Sequence, residues 1–148
     1  MAQLTEHTAL NHLIETCTDA ARGFRSAADH VRDDRLKSFF NEVAEQRERF
    51  AAALLPHAQR LGGDAPADGT RAAVLHRGWI DLKSRISGHD DRAILWEAER
   101  GDGVTLHVFK EAVEGMLPPD VRDLIETQCA EIAAEHTQIA NFYPRLGI

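Results

Sequence analysis

Apolar residues return along the first thirty positions at alternating steps of four and three: Leu10, Ile14, Cys17, Ala21, Phe24, Ala28 and Val31. That rhythm keeps one stripe on one side of an α-helix, and it predicts a helix from about Thr5, as N-cap, to about Val31. A stripe this long needs partner helices. After a short turn at Arg32-Asp33-Asp34, the rhythm resumes as Leu36, Phe40, Val43, Arg47, Phe50, Leu54, His57 and Leu61. This predicts a second helix over about 34–61, stopped by the glycines of "LGG" at 61–63 and disturbed near Pro56. Arg47 is the one cation on an otherwise apolar line.

A polar stretch, "GGDAPADGT", separates this hairpin from "RAAVLHRGWIDLKSRI", where Leu75, Trp79, Leu82 and Ile86 share a face. That pattern predicts a shorter amphipathic helix lying across the others. A fourth helix is expected from Asp90 or Asp91 to about Gly115, with its inward stripe drawn through Leu95, Glu99, Asp102, Leu106, Phe109 and Val113. The fifth begins after "LPPD", where Pro119 suits a first-turn position and Asp120 suits the positive end of the helix. Its face is Val121, Leu124, Ile125, Cys129, Ile132, Ile139 and Phe142, with Glu135 and His136 set among them.

Two helical hairpins joined by a long connection predict an all-α fold. The connection can carry the chain back along the bundle, so that the second and fourth helices run parallel, as in ferritin-like four-helix bundles. With 148 residues, 43% of them hydrophobic, the chain can bury one sizeable core, and residues 1–148 are read as a single domain. The 17 basic residues are dispersed among 24 acidic ones, for a net charge of -7. No basic strip is available to neutralise phosphates, so neither nucleic acid nor an anionic membrane surface is an expected partner. The opening "MAQLTEHTALNHLIE" lacks a basic leader and an apolar core, and no run approaches the roughly 18 apolar residues of a membrane span. The expected location is the cytoplasm, with Cys17 and Cys129 as unpaired thiols on apolar stripes.

The chemistry that remains lies in the acids facing inward across "EAERGD" at 97–102. If the two hairpins share a level, Glu99 is placed beside Glu135, Asp102 beside Ile132, and Ala21 beside Arg47. Arg47, Glu99, Asp102, Glu135 and His136 then form a polar layer in mid-core. Buried charge is costly unless paired or bound to metal, which leaves two readings. In one, Arg47 pairs with Glu99 and Asp102 in an ion-pair layer, and no cofactor is involved. In the other, Glu99, Asp102, Glu135 and His136 hold iron or manganese, and the protein is a redox or storage protein.

Spacing favours the ion pair. Dimetal bundles carry Glu-x-x-His, because residues three apart share a helix face, and this chain has no such motif. The adjacent Glu135 and His136 point about a hundred degrees apart. Arg47 on the second helix would repel a metal pair. His76, Arg77 and Trp79 could close over the layer from the crossing helix. Ser/His/Asp orders, glycine-rich phosphate loops and Cys-x-x-Cys are absent, so the expectation leans away from an enzyme. A homodimer through an exposed helical face is the partner considered.

The stretches "LNHLIETCTDAARGFRSAA" at 10–28, "LHRGWIDLK" at 75–83, "ILWEAERGD" at 94–102 and "LPPDVRDLIETQCAEIAAEH" at 117–136 resemble an uncharacterised bacterial family of ferritin-like four-helix-bundle proteins, usually labelled a domain of unknown function. The resemblance implies the ferritin-like fold and no established activity. The family pattern commonly has an acid where Ala21 stands, and two acids where Asp102-Gly103 follow "ERG". If the family holds a metal through those acids, the resemblance implies that part of the shell is missing here.

Overall fold

The structure, a computed structural model, describes residues 2–61 and 90–146, with side chains from Glu6 onward. Four helices account for most of it: α1 (Ala2–His30), α2 (Asp34–Arg60), α3 (Asp91–Glu114) and α4 (Pro119–Ala140), followed by a single 3-10 turn at Pro144–Leu146. The expected crossing helix, with His76, Arg77 and Trp79, lies outside the described residues. None of the described helices is long and apolar enough to cross a membrane.

The helix starts follow local chemistry. Asp33 caps α2 by accepting from the Leu36 amide at 2.9 Å, and Asp90 caps α3 by accepting from the Ala93 amide at 2.9 Å. Pro119 opens α4, where its missing N–H costs nothing. Thr5, expected as the cap of the first helix, instead lies inside α1, which begins at Ala2. Asp91 at the start of α3 accepts from the amides of both Arg32 and Asp33, at 2.8 and 2.7 Å, and so fastens the second half of the molecule to the first turn.

Two apolar clusters make up the core. One gathers the C-terminal half of α1 (Ala20 to Ala28) and Val31 just after it, the N-terminal half of α2 (Leu36 to Ala44), Ile94, Leu95 and Ala98 of α3, and Ile139 of α4. The other gathers Leu10, Leu13, Ile14 and Cys17 of α1, Phe50, Leu54 and Ala58 of α2, Phe109 of α3, and Val121, Ile125 and Ile132 of α4. This membership fixes the directions. The starts of α2 and α3 meet at one end and their far halves at the other, so these two helices run parallel, as do α1 and α4. Since α1 packs on α2 and α3, and α4 packs on α3 and α2, every pair of neighbours is antiparallel and both diagonals are parallel.

The α3 stripe differs from expectation. Its buried residues are Ile94, Leu95, Glu97, Ala98, Gly101, Asp102, Thr105 and Phe109, whereas Glu99, Leu106 and Val113 are only half-buried. The small residues Ala98, Gly101 and Thr105 turn inward because α3 must approach both α1 and α4. The most apolar line through its sequence is therefore not the line facing the centre.

Candidate functional site: a buried charge layer

Between the two apolar clusters lies a gap in the apolar sequence of every helix except α1: from Ala44 to Phe50, from Ala98 to Phe109, and from Ile132 to Ile139. Arg47, Asp102, and the pair Glu135-His136 fill those gaps. Arg47 is fully buried, with 0% of its surface exposed, as is Asp102. One guanidinium nitrogen, Nη2, donates to Asp102 Oδ1 at 2.8 Å, and the other, Nη1, donates to Glu135 Oε1 at 2.6 Å and also to Gln46. Asp102 Oδ2 faces His136 Nδ1 at 3.0 Å. Acidic and basic groups thus alternate as Glu135, Arg47, Asp102, His136, and tie α2, α3 and α4 to one another.

The guanidinium also lies between two rings. Its central carbon is 5.9 Å from the centroids of both Phe24 and Phe50, within reach of a cation–π attraction on each side. Arg47 Nε has no hydrogen-bond partner among the described residues. Burial lowers the affinity of this guanidinium for its proton, yet the charges of Asp102 and Glu135 prevail and leave it raised overall. Burial raises the Glu135 carboxyl above the usual carboxylate value, against the pull of Arg47. His136 is raised chiefly by its hydrogen bond to Asp102, against a smaller opposing effect of burial. Cys17, buried on α1 and within the field of Arg47, is pushed up to about 12 by burial, so its thiol stays protonated; both cysteines are free.

The expected residues divide. Arg47 and Asp102 pair directly, and Glu135 supplies the second carboxylate, in a place where the sequence reading put Glu99. Glu99 is displaced from the layer: its Oε1 accepts from the Tyr143 hydroxyl at 2.8 Å, beyond the end of α4. The level of α4 is the cause. Asp102 meets His136 rather than Ile132, a shift of one helical turn. Gly115 and Pro118, both extended with ψ of 175° and 147°, carry the chain past the end of α3 before α4 turns back. Tyr143 was missed, although Ile132, His136, Ile139 and Tyr143 lie on one line at steps of four, three and four. Gln128, buried and donating to the Phe50 carbonyl at 3.4 Å, was missed too.

Among the described residues no three His, Cys, Asp or Glu side chains converge on a point that could hold a metal ion. In the layer a guanidinium stands between Asp102 and Glu135 and bonds one oxygen of each, Asp102 Oδ1 and Glu135 Oε1.

A family model described as a domain of unknown function (DUF2383) matches residues 5–115. The chain belongs to this family. The match takes in most of α1 and all of α2 and α3, and ends at the C-cap glycine of α3, so Arg47 and Asp102 lie inside it, and Glu135 and His136 follow it in α4. No curated protein matches the chain.

Proposed function

We propose that this protein is a non-enzymatic, ferritin-like bundle in which a permanent cation, Arg47, stands at mid-core in place of a metal centre. Its charge layer sets the register and pairing of the helices. The antiparallel neighbours and parallel diagonals support the ferritin-like reading. The observation that carries the proposal is the fully buried Arg47 guanidinium bonded at once to Asp102 and Glu135. A buried ion pair does little for net stability, but it penalises any arrangement that leaves its members unpaired. A bundle of four helices with interchangeable apolar faces has many such arrangements to exclude.

The test is metal analysis of protein purified without chelator, followed by titration with iron(II) and manganese(II) and thermal melting. We expect no stoichiometric metal and no rise in Tm with either ion. Near-stoichiometric metal, with a Tm that rises on titration and falls on chelation, would overturn the proposal and restore the redox or storage reading.

A further inference from the structure

α4 is attached differently from the other helices. The faces of α1 and α2 bury long apolar lines against each other, whereas α4 buries only Val121, Ile125, Ile132 and Ile139 as apolar residues, together with Gln128. Against α2 it is held by a series of polar rungs at almost constant register. Arg60 donates to Asp120 at 3.0 Å, Gln128 to the Phe50 carbonyl at 3.4 Å, and Arg47 to Glu135 at 2.6 Å. Arg145, in the turn after α4, donates to Asp33 at 3.0 Å. The rung at one end is exposed, Arg60 and Asp120 keeping about half or more of their side-chain surface in water, while at the other end Arg145 keeps 42% and Asp33 17%. Such a seam opens more readily than an apolar one, because water solvates each exposed rung as it parts.

Opening has a specific consequence at the centre. Without α4, Arg47 loses Glu135 and Asp102 loses His136, and the apolar faces of α2 and α3 lose their cover. An empty slot is therefore unfavourable, and it selects a helix with a carboxylate and an imidazole side by side at the right register. A second copy of this chain carries that helix. The connection permits the exchange, since Gly115 and Pro118 are already extended and Pro118-Pro119 prevents α3 and α4 from fusing into one helix.

We propose that α4 is an exchangeable arm, and that two copies of this chain trade it, each α4 filling the slot between α2 and α3 of the other. The partner is a second copy, and the charge layer of each half is then completed by Glu135 and His136 of the other chain. The inference takes the Arg47 layer as the recognition element of the proposed bundle. Its test keeps Arg47 intact and reads chain connectivity, so it can fail while the metal-free reading stands.

The experiment uses the full chain with Arg60→Cys and Asp120→Cys, in a Cys129→Ala background that leaves only the buried Cys17 thiol. A short bismaleimide is added over a range of chain concentrations, and the products are resolved under denaturing conditions beside light scattering of the untreated protein. Exchange predicts a dimer whose cross-link joins two chains, in a fraction that grows with concentration. A second variant lengthens the Gly115–Pro118 connection with a flexible Gly-Ser insert, which favours closure of each arm on its own chain over exchange and should return the dimer to monomer. A monomer at every concentration, a dimer cross-linked only within each chain, or a dimer that persists after the insertion overturns the proposal.

Discussion

Arg47 is the residue on which most of the site depends. Its guanidinium has no surface in water and binds two carboxylates, so Arg47→Leu strips the partner from Asp102 and Glu135 while they remain in the core. The expected cost is about 3–5 kcal/mol, read as a lower midpoint in urea unfolding. Arg47→Lys keeps the charge but not the fork, and should recover only part of that loss. An unfolding midpoint unchanged in the leucine variant would show that the layer does not contribute as the geometry requires.

His136 supplies a pH dependence of definite sign. Its folded value is raised above the ordinary imidazole value by the bond to Asp102, so the folded chain holds the proton more tightly than the unfolded one. The resulting stabilisation is complete below the ordinary imidazole value and is lost as pH rises through the raised one. Thermal melts from mildly acid to mildly alkaline pH should therefore show Tm falling as pH increases, and His136→Gln should flatten that fall. Glu135 has the same sign in a lower range: burial raises it, and stability declines as it ionises. A wild-type Tm that rises over the imidazole range would contradict the protonated His136–Asp102 pair.

At the scale of elements, the helices themselves were legible in the sequence. The stripes of α1 and α2 are buried almost residue for residue, because a helix held on two sides by apolar neighbours leaves its apolar line only one direction to face. The starts of α2 and α3 were legible for a different reason, since an acid three residues before the first free amide caps it wherever it occurs. Asp90→Ala should cost about 1 kcal/mol through the lost cap. Asp91→Ala removes two acceptors that join α3 to the α1–α2 turn, and should lower Tm more than Asp90→Ala, although Asp91 is also a first-turn acid. Equal losses would mean that Asp91 acts only as a local helix acid. The pairing of α3 with α4 was not legible. It depends on how far an extended, proline-containing connection travels before the helix begins, which no periodicity records, and a displacement of one turn moved Glu99 from Arg47 to Tyr143.

At the scale of the molecule, the charge layer divides the core into two apolar halves and lies where all four helices converge. Three substitutions made together, Arg47→Leu, Asp102→Leu and Glu135→Leu, leave none of the triad's own charges without a partner, and His136, which loses Asp102, keeps 30% of its side chain in water. We expect this variant to be as stable as the parent or more so, in contrast to Arg47→Leu alone, with both measured by the same urea titration. A triple variant as weak as the single one would mean that the layer contributes net stability rather than specificity. His136, left without Asp102, should also lose its raised value, which an NMR titration of its ring protons would detect.

By itself the sequence determined the all-α class, the positions of the described helices, the parallel course of the second and fourth predicted helices, and the presence of charge on inward faces. Each follows from short-range periodicity or from the length of a connection. Only the tertiary structure decided which carboxylate Arg47 takes, that His136 turns to Asp102, and that Tyr143 draws Glu99 away. Those choices depend on the axial offset between helices distant in sequence and on the reach of a guanidinium of a few ångströms. An error of one turn, invisible in an apolar stripe that repeats every turn or so, is enough to exchange one ionic partner for another.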